Sequence, residues 1–273
     1  MPDQQRDSDD GPQRALVTGA TSGMGRAIAQ QLAADGLHVI VHGRDAGRGA
    51  QVVEGIESAG GQASFAAADL ADPAAIKRLA DAAGEIDVLV NNAGFSWFGA
   101  TADLEPDRFD ALFASNVRAP YFLVAAFAPG MAARGSGSII NISSMAGRIG
   151  LAAAAAYGAT KGALESLTRA WAAEFSPSGV RVNAVAAGPV YTGGAAAERT
   201  TALGATTPLG RAGSTAEIAG LFHAARAKRR GARQAIGRRQ RAVLRRGRAV
   251  GGNRPGHRAR RGGKGHALQR LRQ

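Results

Sequence analysis

A short apolar run that leads directly into a glycine-rich segment constrains this chain more than any other feature. The run Arg14–Thr18 (RALVT) suits a buried parallel strand, and the segment Thr18–Gly25 (TGATSGMG) overlaps its end. Apolar residues then recur at helical spacing, at Met24, Ala27, Ile28 and Leu32. Glycines permit a tight turn and the close approach of a pyrophosphate, which the N–H groups of a helix N-terminus can hold. The order strand, glycine turn, helix therefore predicts a dinucleotide-binding site.

The same alternation of apolar runs and helical patterns continues along the chain. Further strands are predicted at His38–His42, Ala63–Ala67, Ile86–Val90, Ser138–Ile142 and Val180–Val185. Helices are predicted at Ala46–Ala59, from Pro73 onwards, at Leu104–Met131 and at Ala152–Phe175. This alternation predicts an α/β fold, a doubly wound parallel sheet of Rossmann type in a single domain. We expect its site at the carboxyl ends of the strands.

The end of the second predicted strand bears on the choice of cofactor. An acid placed there would bind the ribose 2′-hydroxyl of NAD, but the chain has Gly43 followed by Arg44. With no acid to repel a 2′-phosphate, and a guanidinium to pair with it, the sequence favours NADP (as NADPH) over NAD. Asp45 weakens this interpretation, and a solvated arginine at a helix start is the alternative.

Polar and small residues also follow the third and fourth predicted strands. Asp69 and Leu70 come after the third strand. Asp69 could accept a hydrogen bond from an adenine amino group, or it could cap the helix that begins at Pro73. Asn91–Gly94 (NNAG) follows the fourth strand, where small residues let a cofactor lie against the backbone.

A tyrosine and a lysine form the candidate acid–base pair. Tyr157 and Lys161 are 4 residues apart, so on a helix they share a face. A cation roughly 4 Å from a phenol favours the phenolate by about 4 kcal/mol at an effective dielectric constant of about 20. We therefore expect Lys161 to bring the pKa of Tyr157 from about 10 towards 7, where general acid–base catalysis works best. Ser144 can then hydrogen-bond a substrate oxygen held near the phenol, whereas an exposed helix face is the alternative interpretation of the pair.

Taken together, these motifs resemble those of the short-chain dehydrogenase/reductase family, across roughly residues 14–221. The matching motifs occur in order at Thr18–Gly25, Asn91–Gly94, Asn116, Ser144, Tyr157–Lys161 and Ala186–Thr192. The chain is similar to β-ketoacyl-carrier-protein reductases and polyketide ketoreductases. The resemblance implies an NADP-dependent enzyme that reduces a small or carrier-bound carbonyl substrate by hydride transfer, as in polyketide or fatty acid biosynthesis.

The resemblance also implies roles for four catalytic residues. Tyr157 is expected to be the general acid for reduction, or the base for alcohol oxidation. Lys161 is expected to lower the pKa of Tyr157 and to bind the nicotinamide ribose, and Ser144 to orient the substrate oxygen. Asn116 is expected to interrupt its helix and hold a water that links Lys161 to solvent. Ser143 is a rival to Ser144, but only Ser144 keeps the spacing of 13 residues to Tyr157.

The remaining residues implied by the resemblance surround the cofactor. The pyrophosphate turn is expected to comprise Gly19, Thr21, Ser22, Gly23, Met24 and Gly25. Arg44 is expected at the 2′-phosphate, and Asp69 and Leu70 beside the adenine. Asn92 is expected at the adenosine ribose, with Ala93 and Gly94 beside it. The nicotinamide end is expected to contact Tyr157, Lys161, Val190 and Thr192.

The chain departs from the family pattern towards its end. Ala187 and Gly188 stand where the family usually has Pro-Gly, and after Leu221 no pattern indicates the helix, seventh strand and Gly-Gly turn that normally follow. Residues 222–273 instead hold 18 Lys and Arg and no Asp or Glu. We expect residues 1–13 to be a disordered arm, 14–221 the dinucleotide-binding catalytic domain, and 222–273 a basic low-complexity tail.

Three accounts of this tail stay open. It could bind nucleic acid or an anionic surface, it could be an inert solvated extension, or it could be a GC-rich gene translated out of frame. The abrupt loss of acids inside an expected helix favours the last. The lack of aromatic residues for base stacking argues against a nucleic-acid partner.

Composition limits the remaining possibilities. The absence of cysteine excludes disulfides and thiolate chemistry, and the 5 histidines show no metal-ligand spacing, so we expect no metal. We expect a cytoplasmic protein with no membrane partner and, if its C-terminus is intact, a homo-oligomer. Phe95, Trp97 and Phe98 indicate an apolar substrate pocket. Alternative functions are oxidation of a sugar or secondary alcohol and, outside the enzymes, a cofactor-binding regulator or nucleic-acid binder.

Overall fold

The protein is described here from a computed structural model, which describes residues 12–193 and 197–222. Most of the predicted N-terminal arm and nearly all of the basic tail therefore lie outside the described residues.

Six parallel strands form the central sheet, in the order β3-β2-β1-β4-β5-β6. The strands are β1 Arg14–Val17, β2 His38–Gly43, β3 Gln62–Ala67, β4 Val88–Asn91, β5 Gly137–Ser144 and β6 Val180–Ala187. The order reverses between β1 and β4, so that the loops after these two strands open a crevice at their carboxyl ends. This topology confirms the predicted doubly wound sheet.

Helices cover both faces of this sheet. They are α1 Gly23–Ala34, α2 Ala46–Ser58, α3 Pro73–Ala83, α4 Pro106–Phe113, α5 Ala119–Ala133, α6 Ala155–Phe175, α7 Ala197–Ala205 and a last segment, α8, at 215–222. Two short strands, β7 Val190–Tyr191 and β8 Gly213–Ser214, pair with each other. Within residues 12–193 and 197–222, no seventh strand joins the main sheet.

The core consists of two apolar layers, one on each face of the sheet. In β1, Leu16 belongs to the layer under α3, α5 and α6, whereas Ala15 and Val17 belong to the layer under α1 and α2. This division follows from the alternation of side chains along a strand. Because both faces are covered, the inner strands β1, β2 and β4 contain the continuous apolar runs ALV, VIV and VLV, which is why they were recognisable in the sequence.

The segment Pro106–Ala133 has the length and apolar character of a membrane-crossing helix, with a mean hydropathy of 1.3. Half of its most apolar window is buried inside the protein. In α5, Leu123, Phe127 and Met131 belong to the core layer under α3, α5 and α6. The structure therefore uses α5 as a core helix.

Candidate active site

The glycine turn after β1 is joined to the loop after β4 by hydrogen bonds. The Thr18 hydroxyl accepts from the backbone N–H groups of Asn92 and Ala93, both at 3.0 Å. The Asn92 side-chain amide donates to the Thr18 carbonyl at 2.8 Å and to the Gly19 carbonyl at 3.2 Å. The Asn92 side chain thus braces the turn, and its predicted contact with an adenosine ribose stays a prediction.

Gly19 is required at its position for two independent reasons. Its φ of +63° lies in the left-handed region, and a Cβ atom there would sit 2.9 Å from the Cα of Ala93. A Cβ at Gly25 would run into the Gly19 carbonyl and the Asn92 amide. Both glycines are therefore fixed by close backbone packing, which is the packing that a phosphate-binding turn needs.

Helix α1 begins at Gly23 directly behind this turn. Its N-cap residue, Ser22, makes no side-chain capping bond, and the first turn carries no acidic residue. Met24 is half-buried and packs against the core layer under α1 and α2. A Cβ at Gly23 would lie 3.3 Å from Thr192, so the loop after β7 reaches the helix start. Free N–H groups and a positive helix end are thus available for an anion.

Arg44 protrudes from the end of β2, next to the glycine turn. Gly43 is packed so closely on Thr21 that a side chain at position 43 would overlap the threonine methyl group. Asp45 caps α2, accepting from the backbone N–H of Arg48 at 3.0 Å and from its Nε at 2.9 Å. The backbone bond is the main cause that lowers the pKa of Asp45. Among the described residues no acid pairs with Arg44, which removes the objection that Asp45 raised.

The structure adds a residue that the sequence analysis did not identify. His42 is 3% exposed, and its Nδ1 accepts a hydrogen bond from the Gly19 N–H at 3.2 Å. Because that N–H can only donate, Nε2 carries the proton and donates to the Ala68 carbonyl at 3.2 Å. Burial lowers the pKa of His42, and the Ala68 bond and the charge of Asp69 oppose this effect. In the sequence, the position of His42 at the end of an apolar strand could have indicated a buried histidine beside the glycine turn.

The residues predicted beside the adenine lie at the end of β3. Asp69 accepts from the backbone N–H of Ala71 at 3.0 Å, whereas Asp72 is the N-cap of α3 and accepts from Ala74. The alternative in which Asp69 caps that helix is therefore wrong, because Asp72 is the residue adjacent to its start. The Leu70 side chain is 7% exposed and belongs to the core. Only its backbone is available to a cofactor.

Ser144, Tyr157 and Lys161 come together at the carboxyl end of β5. Ser144 is the last residue of β5, and its side chain is hydrogen-bonded to the Tyr157 hydroxyl. Lys161 is 6% exposed, lies with Nζ 5.8 Å from the centre of the Tyr157 ring, and donates to the Ile142 carbonyl at 2.8 Å. The structure therefore places the three predicted groups in one cluster.

The pKa values in this cluster differ from the expectation. Burial raises the pKa of Tyr157 above its usual value, and the bond to Ser144 opposes this only in part. Burial also lowers the pKa of Lys161 to about 8. The expected fall of the Tyr157 pKa towards 7 is wrong for this environment. A charge roughly 4 Å away in a partly aqueous medium would lower the pKa of a phenol, but Lys161 donates to a carbonyl and both groups are desolvated.

Ser143 faces away from the catalytic cluster. It is 3% exposed and donates to Glu165 Oε1 at 2.9 Å. Arg148 Nε also binds this carboxylate, at 2.9 Å from Oε2. Neighbouring side chains of a strand point to opposite faces, so one of the two serines had to be turned away. The geometry favours Ser144 over its rival.

Asn116 lies in a π-helical turn, Ala114–Arg118, that separates α4 from α5. Its carboxamide accepts from the Phe95 N–H at 3.1 Å and donates to the Phe95 carbonyl at 2.9 Å and to Thr160 Oγ1 at 3.0 Å. Gly94 lies against this carboxamide, and a Cβ there would lie 3.8 Å from Lys161 Nζ. The expected helix interruption is present, and the water that it would hold stays a prediction.

Aromatic and basic residues border the cluster. The ring centre of Phe98 lies 5.8 Å from that of Tyr157, and Arg199 Cζ of α7 lies 4.2 Å from the Phe98 ring centre. Arg108 Cζ of α4 lies 4.6 Å from the Phe95 ring centre. Val190 is half-buried in β7, and Thr192 directly after β7 is exposed, so their predicted contact with the nicotinamide stays a prediction. In residues 12–193 and 197–222 no three His, Asp or Glu side chains form a metal-binding group.

Comparisons with known proteins agree with this geometry. The family profile for short chain dehydrogenases matches residues 13–202. A solved short chain dehydrogenase/reductase family protein is 46% identical, with a TM-score of 0.72 over 78% of this chain and 88% of that chain. The angucycline C-6 ketoreductase LanV, solved with bound NADP, is 34% identical with a TM-score of 0.71, over 77% and 87% of the two chains.

Another relative is named for a sugar acid and not for a ketone. Gluconate 5-dehydrogenase of Gluconobacter oxydans is 36% identical over 221 residues, which is 76% of this chain and 84% of the relative. The family profile spans more than two-thirds of the chain. The chain therefore belongs to the short-chain dehydrogenase/reductase family of oxidoreductases.

Proposed function

We propose that the protein is an NADP-dependent ketoreductase that reduces a β-ketoacyl or polyketide-like ketone, with Tyr157 as general acid. The observation that carries this proposal is the cluster of Ser144, Tyr157 and Lys161 beside the crevice at the strand ends. The ketoreductase LanV, which is similar over 87% of its length, was solved with NADP and supports both the reaction and the cofactor.

The described residues fit NADP. The glycine turn offers a cradle that a side chain at Gly19 or Gly25 would fill, and the first turn of α1 has no acid to repel a pyrophosphate. Arg44 is exposed beside Thr21, without an acidic partner among the described residues, and would hold the 2′-phosphate. We therefore assign the turn residues, Arg44 and the Asn92–Gly94 segment to cofactor binding. When bound, NADPH supplies the hydride.

The protein's own groups supply the proton. Because burial raises the pKa of Tyr157, its hydroxyl is protonated at neutral pH and is in the form needed to donate to the oxygen of a reduced ketone. Ser144, bonded to the same hydroxyl, would hold that oxygen in place. The Lys161 ammonium would stabilise the phenolate left after the transfer, because an opposite charge favours the ionised form.

Oxidation of a sugar or secondary alcohol is the second candidate. It is supported by the gluconate 5-dehydrogenase relative, which is as similar to this chain as the ketoreductase is. Oxidation would use Tyr157 as a base, and because burial raises its pKa, oxidation should be fastest at a higher pH than reduction. Carrier-bound substrate, cytoplasmic location, a catalytic domain at 14–221 and a homo-oligomer stay predictions.

The deciding experiment compares NADPH and NADH oxidation against small ketones and acetoacetyl thioesters. We expect faster turnover with NADPH, and reduction of at least one ketone. Faster turnover with NAD⁺ and a polyol would favour the second candidate instead.

The same assay tests Tyr157. Tyr157→Phe should lower kcat by about 100-fold or more, because a general acid typically accelerates a reaction by at least that factor. NADPH binding should stay largely intact. Tyr121→Phe, at a tyrosine that is 47% exposed on α5, is the matched control and should leave kcat unchanged. Near-normal activity of Tyr157→Phe would remove Tyr157 as the acid.

A further inference from the structure

An arginine of α7 lies over the aromatic edge of the catalytic cluster. The Phe98 ring faces Tyr157 at 5.8 Å, and Arg199 Cζ lies 4.2 Å from the centre of the Phe98 ring. These two distances together place the guanidinium carbon within 10 Å of the Tyr157 ring centre. A positive charge therefore lies at most 10 Å from the ring of the proposed general acid.

Arg199 is one of two stacked arginines that have no ion pair in the described part of the chain, and Arg108, over Phe95, is the other. Arg211 pairs with Glu217, and Arg148 pairs with Glu165. In the described part of the chain, Arg199 has no ion pair and stacks only on Phe98. A stacked guanidinium keeps its charge and its outward-facing N–H donors, so Arg199 is available to an anion.

The position of α7 places the Arg199 guanidinium near the proposed substrate site. β7 precedes α7, and the Tyr191 hydroxyl of β7 lies 3.1 Å from Thr201 Oγ1 of α7. β7 also leads to Thr192, which packs on the start of α1. Through Arg199 and Phe98, helix α7 therefore lies on the Tyr157 side of the crevice.

We propose that Arg199 binds a carboxylate of the substrate, so that among the ketones this enzyme reduces, those that carry a free carboxylate are preferred over their neutral analogues. This inference rests on the proposed ketoreductase function. A guanidinium pairs with a carboxylate through two parallel hydrogen bonds of about 2.8 Å, which suits a planar acid group. The guanidinium carbon lies at most 10 Å from the Tyr157 ring centre, which allows a carboxylate a few carbons from the ketone to reach Arg199.

Matched acid and ester substrates test the proposal on the full-length protein with NADPH. We would measure kcat/KM for 4-oxopentanoate and 5-oxohexanoate and for their methyl esters. The wild type should prefer the acids. Arg199→Gln should lower kcat/KM for the acids by about 10- to 100-fold, the value of a charged hydrogen bond, chiefly through KM. It should leave the esters unchanged, and Arg199→Lys should restore part of the acid preference.

The control is Arg108→Gln, which removes the other stacked guanidinium, at Phe95, and should leave the acid-to-ester ratio unchanged. An equal loss for acids and esters in Arg199→Gln would show that the arginine only packs α7, and would overturn the proposal. No acid preference in the wild type, with good ester turnover, would overturn it while leaving the ketoreductase function intact. The proposal would also be overturned if the wild type preferred a carrier-bound thioester over its free analogue and Arg199→Gln lost that preference.

Calorimetric binding of the same acids and esters to the NADP⁺ complex separates this inference from the proposed function. Acid binding that weakens in Arg199→Gln, without turnover of any ketone, would support the anion subsite and contradict the ketoreductase. Acid binding that is equal in wild type and Arg199→Gln would overturn the subsite whatever the turnover.

Discussion

His42 shows how one buried side chain can set the shape of a binding turn that it does not line. Its Nδ1 holds the Gly19 N–H, and its Nε2 holds the Ala68 carbonyl at the end of β3. The imidazole therefore joins the phosphate turn to the strand end that precedes Asp69. Since only the neutral ring can accept from Gly19, this arrangement needs the lowered pKa that burial gives.

Replacing His42 tests this role. His42→Leu leaves the Gly19 N–H without its acceptor, at a cost of about 1–3 kcal/mol, so NADPH should bind about 5- to 150-fold more weakly. His42→Asn keeps an acceptor near the position of Nδ1 and should recover most of the affinity. Fluorescence titration with NADPH measures both. Equal affinities of the Leu and Asn variants would mean that the ring only fills space.

The pKa shifts of Tyr157 and Lys161 predict how the rate of ketone reduction depends on pH. The pKa of Lys161 is lowered to about 8, and that of Tyr157 is raised, so the lysine is the first of the two to lose a proton as the pH rises. At saturating NADPH, kcat/KM for ketone reduction should be constant below pH 8 and fall up to tenfold per unit above it, because a neutral amine no longer stabilises the phenolate. A pH–rate profile that stays flat to pH 10 would contradict this assignment.

At the scale of elements, the break between α4 and α5 positions the catalytic helix. The π turn Ala114–Arg118 directs the Asn116 carboxamide inwards, where it binds both backbone groups of Phe95 and the hydroxyl of Thr160. Thr160 directly precedes Lys161 and in turn donates to the Tyr157 carbonyl at 2.7 Å. The loop after β4, the π turn and the start of α6 are therefore held as one unit.

Asn116→Ala removes three hydrogen bonds from this buried unit. We expect the free energy of unfolding to fall by about 2–4 kcal/mol, because the Phe95 N–H and carbonyl lose their partners. Urea denaturation measures the change. Asn183→Ala, at an exposed asparagine of β6, is the control and should change stability by less than about 0.5 kcal/mol. A similar small change in both variants would show that the carboxamide is dispensable.

At the scale of the whole molecule, the topology was predictable, because a sheet covered on both faces produces continuous apolar runs such as HVIVH and SIINI. The choice of Ser144 over Ser143 was also predictable from its spacing to Tyr157. The His42 and Arg199 contacts were not, because they join segments that are distant in sequence and depend on side-chain direction. The pKa of Tyr157 was missed for a related reason, since desolvation is a property of the assembled core and not of a motif.

The brace between Thr18 and Asn92 has a practical consequence for redesign. The pyrophosphate turn is locked to the fourth strand through a hydroxyl and a carboxamide, while Arg44 projects from a different strand end and takes no part in that lock. The side chain proposed to select the coenzyme, Arg44, is thus outside the hydrogen bonds that fix the turn. An engineer who wants this catalyst to run on the cheaper, unphosphorylated coenzyme should therefore vary Arg44 alone and keep His42 and Gly43, which hold the turn from the same strand.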